Sequence, residues 1–320
     1  MFEEMISIEN LLASWQKFVC GKGGKGDVQA FKLHLMDNLF ELHRDLSHRT
    51  YCHGAYQAFR ISDPKPRHIH KALVRDRIVH HAIYRILYPL FDRTFIADSY
   101  SCRNEKGTHK AVARFKKFGR IVNKNNTRTC WVLQCDIKRF FANMHHTTLL
   151  SILEKKISDS GVMWLCRQVI DSFTLTPECG LPLGNLTSQL FANVYMNPFD
   201  QFVKHALRER HYLRYADDFV IFSRDKGHLT KTLLLLQRFL GEKLHLQLHE
   251  NKVFIKTLAS GIDFLGWVHF PDHRVLRTAT KRRMIKNMKG GPARETVASY
   301  QGLLRYGNTH KLKNAIDKVV

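Results

Sequence analysis

Tyr215-Ala216-Asp217-Asp218 stands between two short apolar runs, Tyr212-Leu213-Arg214 before it and Phe219-Val220-Ile221-Phe222 after it. Aromatic and β-branched residues on both sides of a small polar break read as a hairpin. Two adjacent carboxylates at its tip repel each other, and a cation joining them removes that cost. Magnesium suits such a tip, because it binds one or two carboxylates together with substrate phosphate oxygens. Taken alone, the Asp-Asp pair is more often a solvated turn, so its meaning depends on the rest of the chain.

The 320 residues suffice for a sizeable core, and the 44% hydrophobic content is that of a globular protein. Charge is the outlier: 51 Lys+Arg against 28 Asp+Glu gives a net +23. That excess calls for a polyanionic partner. No apolar run approaches the roughly 20 residues a membrane span needs, which leaves nucleic acid rather than a membrane as the expected partner. The start, Met1-Phe2-Glu3-Glu4, is acidic where a secretory signal is basic, and the seven cysteines form no CxxC pair, so a cytoplasmic protein with reduced thiols is expected. His68/His70, His80/His81 and His145/His146 lack cysteines or carboxylates at zinc-ligand spacing, and no zinc is expected.

Along the chain, residues 7–19 read as an amphipathic helix capped by Ser7. One further helix follows Asp27 and carries Phe31, Leu35, Leu39, Leu42 and Leu46. Residues 58–120 hold fifteen Lys+Arg against five acids, a phosphate-binding balance, with a rigid extended break at Asp63-Pro64-Lys65-Pro66-Arg67 and a helix through Ile78 to Leu87. Trp131 to Cys135 is a strand ending at Asp136, followed by helices at 147–156 and 160–173. Gly180 to Asn185 is a loop opening a helix that is expected to break at Pro198 and resume at Phe202. After the hairpin come a helix from Thr230 to Leu240 stopped by Gly241, then strands near 244–248, 252–256 and 262–270. The last fifty residues, with twelve Lys+Arg against three acids, read as two or three helices.

A strand-end acid (Asp136) beside the hairpin pair (Asp217, Asp218) on neighbouring antiparallel strands is expected to place three carboxylates around one point. That suits two magnesium ions, one at an attacking 3′-hydroxyl and one at a leaving pyrophosphate. Here the chain resembles the reverse transcriptases. Tyr215 to Asp218 resembles their catalytic box, and Asp136-Ile137-Lys138-Arg139-Phe140-Phe141 their first aspartate box. Pro66-Arg67 with Arg75 to Ala82 resembles the fingers box, and Ser99-Tyr100-Ser101-Cys102-Arg103 the next. Leu248-His249-Glu250-Asn251-Lys252 resembles the box before the primer grip, and Gly261 to Gly266 the grip itself. The six stand in the family's order and cover nearly the whole chain.

Leu183-Gly184-Asn185-Leu186-Thr187-Ser188-Gln189 is similar to the loop of reverse transcriptases from diversity-generating retroelements, where most intron-type enzymes carry Gln-Gly. Ser299 to Thr309 resembles their thumb. The resemblance implies an α+β right-hand polymerase, with fingers at 1–125, an antiparallel palm sheet backed by helices at 126–270 (with some fingers helices), and thumb at 271–320. It implies RNA-directed DNA synthesis from dNTPs on a template-repeat RNA, extending a primer into cDNA with errors at template adenines. It also implies two Mg2+ ions with Mn2+ as a substitute, a small basic oligomeric accessory protein, and a bacterial or phage origin. The metal ligands would be Asp136, Asp217, Asp218 and the Ile137 carbonyl. Phe141 would be the steric gate against a ribose 2′-hydroxyl, and one of Phe140 and Phe141 is a core residue, since strand neighbours face opposite sides. Lys65 and Arg67 are either triphosphate contacts or surface charges, and Lys252 either protonates pyrophosphate or is solvated. Leu183, Gly184 and Gln189 would face the nucleotide, and Phe264, Leu265 and Gly266 the primer. Lys281, Arg282, Arg283, Lys286 and Lys289 would track the nucleic-acid backbone. The alternatives are a retron, intron-type or defence-associated reverse transcriptase, and a non-catalytic nucleic-acid binder on the same fold.

Overall fold

The computed structural model describes residues 1–62, 66–288 and 293–317. Lys65 and Lys289 therefore lie outside the described residues. The chain opens with α1 (Phe2–Ile6) and α2 (Ile8–Val19), divided by Ser7, whose hydroxyl accepts a hydrogen bond from the Asn10 amide at 3.2 Å. The single helix expected after Asp27 is two, α3 (Gly26–Leu33) and α4 (Leu35–Ser47), broken at His34 (φ −119°, ψ 42°). Asn38 Nδ2 donates to the Phe31 carbonyl across that break, which replaces a lost helical bond. Next come an antiparallel hairpin of β1 (Gln57–Ile61) and β2 (Arg67–Lys71), then α5 (Val74–Asp92) and α6 (Thr108–Val122).

β3 (Trp131–Asp136) precedes α7 (His146–Glu154), α8 (Ser160–Asp171) and α9 (Leu186–Gln201). Pro198 does not interrupt α9. The helix carries it and then widens into one π turn at Phe202–Ala206, the usual accommodation of a backbone missing one donor. β4 (Tyr212–Tyr215) and β5 (Asp218–Ser223) follow, then α10 (Lys226–Leu244), which runs through Gly241 rather than stopping there. Residues 244–248 form no strand. Leu244, Leu246 and Leu248 are buried in alternation as expected of extended chain, but His245 takes φ 52° and the Leu246 amide turns back to the Leu240 carbonyl. β6 (Phe254–Thr257), β7 (Ile262–Phe264), β8 (Trp267–His269) and β9 (Arg274–Leu276) precede α11 (Thr278–Met288), α12 (Arg294–Leu304) and α13 (His310–Asp317). The single strand expected at 262–270 is split by a two-residue turn in which Leu265 (φ 51°) and Gly266 (φ 83°) are both left-handed.

These elements make two compact units interleaved along the sequence. One comprises Met1–Ala97, Ile137–Phe202 and Arg238–Gln247, and the other Asp98–Asp136, Val203–Gln237 and Leu248–Val320. The second unit holds a four-stranded antiparallel sheet in the order β4-β5-β3-β6 and a three-stranded sheet β7-β8-β9. α6 covers the larger sheet through Phe115 and Phe118, which pack with Val220, Phe222 and Phe264. Side chains buried this fully each contribute about 1.5–3 kcal/mol. A second cluster ties Trp267 and Leu276 to Met284, Met288, Val297 and Leu304 of the C-terminal helices. No helix among the described residues is long and apolar enough to cross a membrane.

Candidate active site

β4 and β5 are joined by Ala216 and Asp217 alone, because Tyr215 pairs with Asp218 across the ladder. Asp217 therefore occupies the tip, whereas Asp218, expected there too, opens β5. Ala216 takes the left-handed φ of 55°, a conformation that a residue with a Cβ holds only when its surroundings enforce it. Arg214, fully buried, supplies part of that enforcement: its guanidinium donates to the Ala216 carbonyl at 2.9 Å and to Ser99 Oγ at 3.1 Å. The Tyr100 amide donates in turn to the Arg214 carbonyl at 3.0 Å, and Tyr215 Oη meets Thr108 Oγ1 at 3.0 Å. The Ser99–Arg103 box thus props the acidic turn from behind. A charge inside an apolar strand was the one signal of Arg214 in the sequence.

β3 lies on the other side of β5, in a register that sets Asp136 directly opposite Asp218. Lys252 reaches the same point: its Nζ donates to Asp136 Oδ1 at 2.7 Å. A single 3-10 turn at Glu250–Lys252 carries it, anchored where the His249 amide donates to the Asp136 carbonyl at 2.8 Å. The Leu248–Lys252 box is thereby fastened to the first aspartate.

Burial pushes the Asp218 carboxyl up to about 7, with the charges of Asp217 and Asp136 and a shared hydrogen bond to Asp136 adding to the rise and Lys252 opposing it. Close packing of carboxylates in a partly desolvated place creates a demand for positive charge. Among the described residues no three His, Cys, Asp or Glu side chains are gathered into a ready-made metal cage. The ladder register sets Asp136 opposite Asp218, and Asp217 stands next to them on the turn, where its charge is felt at Asp218. Magnesium does not need a three-ligand cage, since it completes its octahedron with water and substrate phosphate oxygens. Hard carboxylate oxygens around an Asp218 that burial and neighbouring charge keep from ionising readily fit such an ion.

In the other unit, Phe140 and Phe141 lie on a 3-10 turn (Phe140–Asn143) rather than a strand. One of them is a core residue, as expected: Phe140 is buried, whereas Phe141 is half-buried and its carbonyl accepts from the Leu181 amide at 2.8 Å. Leu183 gives its carbonyl to the His70 amide at 3.0 Å, and Asn185 Nδ2 donates to the His70 carbonyl at 2.9 Å, so this loop is stitched to β2. Gly184 and Gln189 border a cavity of about 370 Å³ with Ile69 and Arg77. Arg67 is exposed at the start of β2, and Ile137 is buried directly after Asp136.

In the unit that holds the aspartates, Phe264 is buried under the sheet against Phe115 (5.4 Å between rings), so its side chain cannot itself touch a primer. Leu265 and Gly266 form the turn above it, where the Gly266 carbonyl accepts from the Arg277 amide at 3.1 Å. Lys281, Arg282 and Lys286 are exposed on α11, and Arg283 is half-buried.

Comparison with known proteins gives the family and the fold. The family model described as reverse transcriptase (RNA-dependent DNA polymerase) matches residues 62–269. Protein YkfC of Escherichia coli (strain K12) is 27% identical over 285 residues, 76% of this chain and 72% of its own. Group II intron-encoded protein LtrA of Lactococcus lactis subsp. cremoris is 24% identical over 67% of this chain, which spans 45% of LtrA. Apo telomerase from Candida tropicalis, truncated from its C-terminal domain, shares the fold with a TM-score of 0.54 at 13% identity, over 76% of this chain and 60% of that one. Telomerase from Candida albicans, in complex with a TWJ fragment of telomeric RNA, also gives 0.54, at 12% identity over 85% of this chain and 57% of that one. The matched span runs from the β1–β2 hairpin to β8 and includes all three aspartates and Lys252. With its α+β right-hand polymerase fold, the chain belongs to the reverse transcriptase (RNA-dependent DNA polymerase) family.

Proposed function

We propose that this chain is an RNA-directed DNA polymerase that extends a primer on an RNA template by nucleotidyl transfer from dNTPs. The observation that carries the reading is the β3–β5 register, which holds Asp136 against Asp218 beside the Asp217 turn. In the reaction the primer 3′-hydroxyl attacks the α-phosphorus of the dNTP, the bond to pyrophosphate breaks and the hydroxyl proton leaves. Asp136, Asp217 and Asp218 would hold Mg2+, with the main-chain carbonyl of Ile137 as a further donor. Bound there, magnesium supplies positive charge that favours ionisation of the hydroxyl and offsets the charge developing on phosphate. Lys252, whose bond to Asp136 supports the reading, would give a proton to the departing pyrophosphate. Asp217→Asn and Asp218→Asn are each expected to abolish dNTP incorporation on an RNA template while RNA affinity is kept. Retained synthesis in either variant would sink the assignment. Phe141 is assigned as the gate against ribonucleotides, so Phe141→Ala should raise the rNTP/dNTP incorporation ratio, and an unchanged ratio removes it from that role.

The finer reading is a diversity-generating enzyme that copies a template-repeat RNA with errors at adenines and works with a small basic accessory protein. It is supported by the Leu183–Gln189 loop, where Leu183 packs but offers no side-chain hydrogen bond to a nucleotide. Similarity to LtrA favours a second reading, an intron-type reverse transcriptase. Sequencing the cDNA separates them: errors concentrated at template adenines support the first, and a uniform spectrum the second.

A further inference from the structure

The chain from Lys106 to Cys135 contains eight Lys+Arg and no acidic residue. Most of it is α6, which buries Ala111, Val112, Phe115, Phe118, Gly119 and Val122 and turns its other face outward. On that face Lys116, Lys117, Arg120 and, just past the helix end, Lys124 are all exposed. Their spacings of three and four residues make one continuous stripe, and together they line a single shallow concavity. Lys116 belongs equally to an adjoining cavity of about 250 Å³, whose walls include Phe270, His273, Arg305 and Tyr306. Phe270 and His273 stack there at 4.7 Å, and the Asp272 carboxylate at its rim is taken by His273 Nδ1 at 2.8 Å. Basic groove and aromatic cavity thus meet at one lysine.

Two hydrogen bonds fix where this surface lies relative to the carboxylates. At the first residue of α6, Thr108 Oγ1 meets the phenol of Tyr215, next to the acidic turn. At its last, the Val122 carbonyl accepts from Arg224 Nε, beyond the far end of β5. A helix of 15 residues is about 22 Å long. The stripe therefore occupies the half of α6 remote from Asp217 and Asp218, too far for its cations to touch a reacting phosphate.

We propose that the outer face of α6 and the adjoining aromatic cavity form a second RNA-binding surface, which holds single-stranded template RNA away from the carboxylates. Lys117, Arg120 and Lys124 neutralise successive phosphates, and the cavity at Tyr306 accepts an unstacked base. Phosphate contacts from Lys and Arg beside an aromatic platform are what single strands need, and they read no sequence. An acid-free run of this length also sets the face against a basic protein partner. The inference rests on the polymerase reading only in naming the RNA as template.

The test measures binding of labelled 30-nucleotide oligouridine across a potassium chloride series, alongside extension of a short pre-annealed RNA–DNA template–primer. The triple variant K117A/R120A/K124A is expected to bind oligouridine about tenfold more weakly, with a log–log salt slope shallower by about 2. Tyr306→Ala should weaken binding with the salt slope unchanged. Both should extend the short duplex at the wild-type rate. Unchanged affinity and slope in the triple variant overturn the proposal and leave the face to an acidic protein. A parallel fall in extension of the short duplex overturns the remoteness of the surface. Absence of extension by the wild-type protein, with oligouridine binding still sensitive to the triple substitution, would count against the polymerase reading and not against this surface.

Discussion

His269 sits at the end of β8 with its ring 4.3 Å from that of Phe115 and its Nε2 bonded to the Phe264 carbonyl at 3.2 Å. Burial holds its pKa down at about 4, with Arg274 pushing the same way and the Phe264 carbonyl opposing. An imidazole that titrates near 6.5 when unfolded and near 4 when folded stabilises the protein while neutral. That contribution is whole above pH 6.5 and is lost as the pH falls toward 4. Depression by this much corresponds to about 3 kcal/mol at the limit. His269→Gln keeps an amide donor for the Phe264 carbonyl but cannot titrate. Its midpoint in urea should fall less than that of the wild type between pH 7 and pH 5, and equal losses would remove His269 from the acid sensitivity. Buried His80 and half-buried His81 are held down as well and retain their share in both proteins. At this scale the sequence was uneven as a guide. Two acids between apolar runs announce themselves, because nothing in a core explains them. Arg214 and His269 do not, since their meaning lies in carbonyls and rings brought in from other strands.

Gly184 shows how an element depends on a backbone that only one residue type tolerates. Its φ is 107°, and a Cβ there would come within 2.8 Å of Ile69 Cγ2 on β2. The bonds of Leu183 and Asn185 to His70 leave the loop no room to retreat. Gly184→Ala should therefore cost about 1–3 kcal/mol through backbone strain and overpacking. Urea unfolding reads that loss, and hydrogen exchange should quicken at the His70 amide as β2 is pushed from the loop. Unaltered stability would mean that hairpin and loop move independently. The β1–β2 hairpin itself was not legible in the sequence, because its residues are mostly exposed on both faces and show no alternation. α9 was misread at Pro198 for the opposite reason: a strong local breaker is overruled by a helix whose buried residues on either side, Val194 and Phe199 among them, hold it in place. The strands of the larger sheet were legible wherever burial on both faces produced unbroken apolar runs, as in β3 and β5.

Charge is the property of the whole molecule that the sequence states outright, and the interleaving of its two units is the one it conceals. Segments far apart in the chain complete each unit, and no local composition marks where one unit yields to the other. The +23 net charge needs no fold to have a consequence. Exposed cations recur on α6 and on α11, and the chain after α11 adds Arg294, Arg305 and Lys311. A polyanion engaging six or more of them releases a counterion for each phosphate neutralised. Raising salt from 50 to 200 mM should therefore weaken binding of an RNA–DNA template–primer by about 10³-fold. Extension by complexes already formed should slow far less, because the carboxylate site acts over bond lengths at which bulk salt screens little. Single-turnover extension from pre-bound complexes, set against equilibrium binding at the same salt, separates the two. A catalytic step that loses as much as binding does would mean that the surface cations help to organise the reacting phosphates themselves, and the division between a sequence-blind electrostatic grip and a local carboxylate site would then fail.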